Sequence, residues 1–376
     1  MLIITGSMSC KRSDHKSKNN DFVGVIRLDI ALKKKLPEQK LSDIAGAVHY
    51  IVFGGNKKFL FLHPSLAFVN KEYIILNDNR RYLYVCDKKG KLQWRLDRKG
   101  KGPGEYVQIT DVEVDPDNHI LYVLDESQLK IISYDLQAGK FIHEINIPVS
   151  SGAFALFRNG FVLWNPPWGF ADKDYCYFLT FTGKSGKVLK HIDRYGNDNN
   201  FRGGILHGTW FCRAHGDLYI KDTYNDTVFR ITKEPGLQPH AVLSCGKYTL
   251  PREKAEDVFF LQSHLNDYIS QLYFLETPRY IFFKFLKGRY YLLVYDKQLK
   301  GFISKSEGTL NQPATFENDL DEGPDFDPWV VYGNTLYALV PLTAFQKHPV
   351  AGIKVSEKDF DPAEEGNAVL VAVELK

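Results

Sequence analysis

The sequence predicts an all-β fold, a six-bladed β-propeller of four-stranded antiparallel blades. Three observations predict it: an apolar segment that recurs six times, turns rich in Gly and Asp between apolar runs, and a C-terminal unit that lacks one strand. The 376 residues are 44% hydrophobic and 14% aromatic, which suits sheets buried on both faces. No Pro- or Ser-rich linker divides the chain, so we expect a leader and tether over residues 1–20 and a single domain over 21–376.

The repeat is defined by one aligned residue in each unit, which we call the repeat position. Successive repeat positions lie 40 to 63 residues apart, a spacing close to that of propeller blades. One apolar segment precedes each aligned run and further apolar runs follow it, so each unit is a strand–turn–strand meander. The residues at the repeat position are Ile75, Tyr122, Val162, Tyr219, Phe282 and Tyr337.

The two ends of the chain predict how the ring closes. The sixth unit ends in NAVLVAVELK without its outermost strand, and two strand-like segments near the N-terminus, residues 23–30 and 47–53, belong to no unit. Pairing of either segment with the C-terminal strand would remove an exposed sheet edge. The sequence does not decide between them. A pair of β-sandwiches, the alternative fold, would not explain the missing and the spare strands.

One short inserted helix is predicted near residues 251–269, where the repeat spacing is longest. Pro251 stands at a first-turn position, and acidic residues follow it, which suits the positive end of the helix dipole. Val258, Leu261 and Leu265 recur at helical spacing. The helix either packs on one face of the propeller or acts as a lid.

The first twenty residues are typical of the end of a bacterial lipoprotein signal. A short apolar segment ends at Cys10, and a wholly polar stretch follows it. We expect Cys10 to carry lipid and to be the only membrane attachment; the alternative is a disordered start with an incidental cysteine. The other cysteines form no CxxC pair and are predicted to be buried free thiols, with two disulfides as the alternative. They are Cys86, Cys176, Cys212 and Cys245.

Four segments carry a resemblance to a known family. They are LSDIAGAVHYIVF (41–53), RKGKGPGEYVQITDVEVD (98–115), ILYVLDESQLKIISYD (120–135) and GKFIHEINIP (139–148). These segments resemble the NHL-like six-bladed β-propeller lipoproteins of gut-dwelling Gram-negative bacteria, and the GKGPGEY loop is the most specific part. The resemblance implies a lipid-anchored protein of the cell envelope, on the periplasmic or surface face of the outer membrane. It implies no established activity.

The GKGPGEY loop (100–106) is expected to be structural. It lacks the spacing of a phosphate-binding loop, and no helix follows it. Residues 102–104 would turn the chain from an outer strand back towards the propeller axis. Glu105 and Tyr106 would tie this turn to a neighbouring blade.

Polar residues on the innermost strands are candidate metal ligands, because these strands line the central channel. A ring of carboxylates from several blades would suit Ca²⁺, and a cation held there would indicate a metal-dependent hydrolase or lyase. The inner segments of the third and fifth units offer few ligands, and Asp115 also begins a DPDN turn. No catalytic constellation is recognisable. The candidate ligands are Asp111, Glu113, Asp115, His207 and Asp327.

Aromatic residues in loops and inner segments are candidates for ligand contacts. The WNPPWGF segment (164–170) sets two Trp among Pro and Gly, and rigid rings of this kind bind sugars and peptides at low entropic cost. The alternative for each Trp is packing between blades. The ligand-binding candidates are Trp164, Trp168, Trp210, Trp329 and His207.

The sequence therefore predicts a non-catalytic binding or scaffold propeller, a monomer that recognises a glycan, a peptide or an envelope protein. The alternative function is the metal-dependent enzyme with its site in the channel. A formal net charge of +3 without a basic stripe argues against nucleic acid as a partner.

Overall fold

The computed structural model describes residues 23–53, 61–166, 177–194, 209–214, 216–222, 225–254, 257–351, 353 and 368–376. Within these residues, 25 strands form six sheets around a central channel. Each sheet contains a four-stranded antiparallel meander, so the predicted six-bladed propeller is confirmed.

The strands of the first five blades run in chain order from the channel outwards. Blade 1 comprises β3 (Pro64–Val69), β4 (Tyr73–Asp78), β5 (Tyr82–Asp87) and β6 (Leu92–Leu96). Blade 2 comprises β7 (Asp111–Asp115), β8 (Ile120–Asp125), β9 (Lys130–Asp135) and β10 (Phe141–Asn146). Blade 3 comprises β11 (Ala153–Phe157), β12 (Gly160–Trp164), β13 (Tyr177–Gly183) and β14 (Val188–Asp193). Blade 4 comprises β15 (Thr209–Ala214), β16 (Asp217–Asp222), β17 (Thr227–Ile231) and β18 (Leu237–Ser244). Blade 5 comprises β19 (Ser270–Glu276), β20 (Tyr280–Leu286), β21 (Tyr290–Asp296) and β22 (Gly301–Glu307).

Blade 6 is built from both ends of the chain. Its inner strands are β23 (Val330–Tyr332), β24 (Thr335–Pro341) and β25 (Ala368–Leu375), and its outermost strand is β2 (Ala45–Val52). β2 pairs antiparallel with β25, with His49 opposite Ala372. The second of the two N-terminal candidates therefore closes the ring, and blade 6 gains the strand that its own sequence lacks.

The first N-terminal candidate has a different position. Only Gly24–Arg27 of the 23–30 segment is a strand, β1, and it adds to blade 4 as a fifth strand parallel to β18. The chain then turns into helix α1 (Leu28–Lys33), which has Asp29 in its first turn and Lys33 in its last, as the helix dipole favours.

The hydrophobic core is divided among the six interfaces between neighbouring blades. Every residue of β20 is buried, because blade 5 packs against a blade on each side. The cluster between blades 5 and 6, for example, joins Phe282 and Val294 to Leu336 and Val371. Aromatic and β-branched side chains fill these wide interfaces, and stacking around the ring covers faces that an isolated blade would expose.

The inserted helix is shorter than predicted. Helix α3 spans only Val258–Ser263, after two single 3₁₀ turns at 246–248 and 252–254. Asp257 has extended backbone and its side chain accepts the Phe260 amide at 2.9 Å, so it is an N-cap and the helix begins after it. The other helices are α2 (Leu41–Ile44) and α4 (Ala344–Lys347). None of the helices in the described part of the chain is long and apolar enough to span a membrane.

The cysteines of the described residues are free and buried, as predicted. They are Cys86, Cys212 and Cys245. Burial raises the pKa of each thiol to about 12, so all three stay protonated and unreactive at neutral pH. Cys176 and Cys10 lie outside the described residues.

The GKGPGEY loop has the predicted structural role. Gly104 adopts φ of +70°, and a Cβ there would lie 2.7 Å from the Phe141 ring, so the turn requires glycine. Glu105 was expected to tie the turn to a neighbouring blade, but its carboxylate accepts the Gly102 amide at 2.8 Å within the loop instead. Tyr106 is buried and donates its hydroxyl to the carbonyl of Arg81 at 2.8 Å, which ties the entry of blade 2 to blade 1.

Candidate functional site

The acidic residues of β7 make contacts within the protein. Asp111 accepts a hydrogen bond from the backbone amide of Phe154 in β11 at 2.9 Å. Glu113 accepts one from the amide of Leu156 in the same strand at 3.2 Å. Asp115 accepts the amide of Asn118 at 3.1 Å, which is the turn alternative. Two of the proposed metal ligands therefore join the innermost strands of blades 2 and 3.

The Glu113 carboxylate also forms an ion pair across the channel. Its partner is Arg213 of β15 in blade 4, which donates in addition to the Leu156 carbonyl at 3.1 Å. In the described residues, no three His, Cys, Asp or Glu side chains converge as a metal site would require. His207 lies outside these residues, so the Ca²⁺ site and the hydrolase or lyase that depends on it stay predictions.

The Trp candidates differ in position. Trp164 is only 5% exposed and packs in the cluster between blades 3 and 4, so it is a core residue rather than a ligand contact. Trp329 is 39% exposed, just before β23. Trp168 lies outside the described residues, and Trp210 is described only as part of strand β15.

The two faces of the ring carry different connections. Strands of a meander alternate in direction, so the turns from second to third strands and the connections between blades share one face. We call it the upper face. It holds the connection of residues 308–329 into blade 6, and helix α4, which follows β24. Loops on a rigid scaffold are the usual place for binding sites.

Four blades share a buried polar residue on the upper face, three residues after the repeat position. Because each of these residues ends or directly follows the second strand of its blade, it meets the connection that enters or leaves that blade. All four side chains are buried, and buried polar groups need hydrogen-bond partners. They are Asp78, Asp125, Asn165 and Asp222, in blades 1 to 4.

The carboxylates at this position fix the connections between blades. In blade 1 the carboxylate accepts the amides of Leu62 and His63 at 2.7 to 3.1 Å. In blade 2 it accepts the amide of Val107 at 2.6 Å. In blade 4, Asp222 forms an ion pair at 3.0 Å with Arg194, which follows β14. Arg194 also donates a hydrogen bond to the backbone carbonyl of Asn165 in blade 3. Each carboxylate thus holds the connection that leads into its own blade.

Blades 5 and 6 have apolar residues at the same position, and a cleft lies there. The residues are Phe285 and Val340. Both line a cleft of about 1080 Å³ between the two blades and the 308–329 connection. The 308–329 connection leads into blade 6, where Val340 offers its amides no acceptor. We call the space beside this connection the aromatic cleft.

Four side chains form the inner end of the aromatic cleft: Tyr273, Lys284, Asp327 and Trp329. The Tyr273 ring meets the Trp329 ring edge to face, with centroids 5.6 Å apart. The Lys284 ammonium lies 3.3 Å from the centroid of the Trp329 ring and 2.7 Å from an Asp327 oxygen. Trp329 also donates a hydrogen bond to Asp327. The indole ring is therefore held on one side by a cation and at its N–H by a carboxylate.

Burial favours the neutral form of each member of the ion pair. It lowers the pKa of Lys284 to about 8 and raises the pKa of Asp327, although each partner partly offsets the effect on the other. At neutral pH Lys284 is still mostly protonated. Above pH 8 the ammonium is lost, and with it both the ion pair and the cation–π contact.

We expect the indole fluorescence of the protein to change with a midpoint near pH 8. The physical reason is loss of the charge over Trp329, and a free lysine would titrate near ~10.4 instead. The transition should be absent in Lys284→Arg, whose guanidinium stays charged, and retained in Lys287→Arg. A wild-type midpoint above pH 10 would contradict the burial of this amine.

Comparison with protein families places the whole ring in one family. A family model described as a domain of unknown function, DUF4934, matches residues 24–374. The chain belongs to the DUF4934 family. The match begins at the first residue of β1 and ends inside β25, so this DUF4934 domain includes both ends of the closed ring.

Two solved structures resemble this DUF4934 propeller. A predicted exported protein from Bacteroides fragilis gives a TM-score of 0.69 at 17% identity, over 91% of this chain and 99% of that chain. A member of the DUF4221 family from Bacteroides vulgatus gives a TM-score of 0.53 at 14% identity, over 88% of this chain and 97% of that chain. At these identities the likeness shows the fold alone. No curated protein matches the sequence.

Two residues of the aromatic cleft in this DUF4934 protein were predicted from the sequence. Asp327 and Trp329 were candidates for different roles, a metal ligand and a ligand contact, and they lie together in one site. Lys284 and Tyr273 were missed because each lies in an apolar strand pattern that indicates only a core. The available signal was the repeat itself, since Phe285 and Val340 interrupt a position that is otherwise Asp or Asn.

Proposed function

We propose that this protein is a non-catalytic carbohydrate-binding propeller of the cell envelope, with its site in the aromatic cleft. The observation that carries the proposal is the exposed, rigidly held Trp329 ring in a cleft of about 1080 Å³. Cavities of ~300–1,000 Å³ with aromatic walls and a few polar groups are typical ligand sites. A lipid anchor at Cys10 would keep the propeller at a membrane, and the exported character assigned to the Bacteroides fragilis protein agrees with an envelope location.

The polar groups of the cleft favour a carbohydrate over a peptide or a strongly charged ligand. Lys284 and Asp327 neutralise each other at 2.7 Å, and the other two charged residues of the lining, Asp325 and Lys347, carry opposite charges. The exposed rim carries the amides of Asn311, Gln312 and Gln346, each of which can donate and accept hydrogen bonds as sugar hydroxyls do. A sugar ring can place its apolar C–H face on the indole while its hydroxyls reach these amides.

Calorimetric titration of the full chain with a saccharide panel tests this proposal. The panel holds neutral oligosaccharides of the malto, cello, manno and galacto series, each with two to six units. We expect saturable binding of at least one series, stronger for the longer members, because the cleft exceeds one ring in size. If no series binds and a library of short peptides does, the ligand class is a peptide and the carbohydrate proposal is wrong.

A further inference from the structure

The upper half of the central channel forms a second polar cavity on the same face as the aromatic cleft. We call this cavity of about 520 Å³ the upper channel pocket. The β4–β5 turn and the connections into blades 1, 2 and 3 surround its mouth. Val330 lines this pocket and its neighbour Trp329 lines the aromatic cleft, so the two spaces lie on either side of the chain at the start of β23.

The upper channel pocket is narrowed at its lower end. Glu113, Arg213, Phe211 and Val331 line both this pocket and the lower part of the channel, and the ion pair of the first two lies at this junction. The pocket opens on the upper face, so it can hold the end of a chain-like ligand that enters there.

The walls of the pocket offer hydrogen-bonding groups with few protein partners. The Asn77 side-chain oxygen is buried and accepts no hydrogen bond within the described residues. Arg80 is exposed at the mouth, and its guanidinium makes no hydrogen bond or ion pair there with the described part of the chain. A buried acceptor without a donor costs free energy unless water or a ligand supplies one.

Asp111 adds a carboxyl group to the same wall. Its carboxylate already accepts two backbone amides, from Phe154 and Val112, so its position is fixed. A carboxylate of this kind accepts hydrogen bonds from hydroxyl groups.

We infer that the upper channel pocket is a subsite for the terminal unit of an oligosaccharide whose following units lie in the aromatic cleft. This inference rests on the proposed function, since the cleft must hold the rest of the chain. Asn77 accepts from one hydroxyl of the terminal unit, and Arg80 donates to others. The protein then recognises one end of the saccharide instead of any internal stretch.

Titrations of Asn77→Ala and Arg80→Ala with the tightest-binding oligosaccharide of the panel test the subsite. Each substitution should weaken binding about tenfold, as expected for loss of one hydrogen bond from a bound polar group. Arg81→Ala is the matched control, because Arg81 is equally exposed in the same turn but stacks on Tyr82 outside the pocket. Arg81→Ala should bind like the wild type.

End-labelled oligosaccharides test the terminal position. A bulky label on one end should abolish binding, because that end cannot enter the narrowed pocket, while a label on the other end should be tolerated. If both labels are tolerated equally, or if Asn77→Ala and Arg80→Ala bind as the wild type does, the subsite is overturned. The cleft still stands in that case if Trp329→Ala loses binding. Loss of binding only in the pocket variants would overturn the cleft instead. Absence of any saccharide binding to the wild type would overturn both.

Discussion

Trp329→Ala is expected to weaken oligosaccharide binding by about 30-fold. Trp329 is 39% exposed in the aromatic cleft, and its ring is held by Tyr273, Lys284 and Asp327 before any ligand arrives. Removing a central, preorganised aromatic contact typically costs ~2 kcal/mol or more, and ~1.4 kcal/mol corresponds to tenfold in affinity. Calorimetric titration with the tightest-binding member of the panel gives the loss directly.

The matched control for this prediction is Tyr332→Ala. Tyr332 lies three residues further along the chain, is 41% exposed, and faces the lower part of the channel. It should bind as the wild type does. Trp329→Phe should fall between the two, because phenylalanine keeps a ring but cannot donate to Asp327. Equal affinities of Trp329→Ala and Tyr332→Ala would remove the cleft from the binding site.

Asp125→Ala is expected to lower the free energy of unfolding by about 3 kcal/mol. The Asp125 carboxylate is fully buried and accepts hydrogen bonds from the Val107 amide at 2.6 Å, Ser127 at 2.6 Å and Gln128 at 2.7 Å. Alanine leaves these donors without an acceptor. The exposed Ser127 hydroxyl can turn to water, whereas the Val107 amide and the Gln128 side chain are half-buried, and an unpaired buried donor costs ~1–3 kcal/mol. Urea unfolding followed by circular dichroism measures the change.

An exposed carboxylate in the same blade provides the control. Asp117→Ala, in the β7–β8 turn, should change stability by less than ~0.5 kcal/mol, as most surface substitutions do. If Asp125→Ala unfolds at the same urea concentration as Asp117→Ala, the buried carboxylates do not hold the connections between blades. The explanation for the open cleft beside Phe285 and Val340 would then fail as well.

The blade architecture could be predicted because it is periodic. Each second strand carries its repeat position at the same point, and the missing strand of blade 6 matches a spare strand near the N-terminus. The choice between the two spare strands could not be made, since both are short apolar segments. The first one ends after Arg27 because a helix begins at Leu28.

The role of individual Trp residues could not be read from the sequence. Trp164 ends β12, and all five residues of this strand are buried. A strand that is buried on both faces has no alternation of polar and apolar residues, so its sequence does not show that a given side chain belongs to the core. In the sequence Trp329 looks like Trp164, since both are aromatic residues at or near the end of a predicted strand. What distinguishes it is its neighbour Lys284, 45 positions earlier in another blade.

The composition of the aromatic cleft was similarly hidden. It depends on the absence of a carboxylate in two blades, and an absence becomes visible only when the six units are aligned residue by residue. In blade 2 the carboxylate is present, and Asp125 binds the residue that follows the GKGPGEY loop. Departures from a structural repeat are therefore the most informative positions of this sequence.

The most direct test of the central claim is a crystal structure of the full chain with the tightest-binding oligosaccharide of the panel. We expect one sugar ring stacked on Trp329 in the aromatic cleft and the terminal unit in the upper channel pocket, within hydrogen-bond distance of Asn77 and Arg80. Saccharide bound elsewhere, with the cleft holding only water, would contradict it.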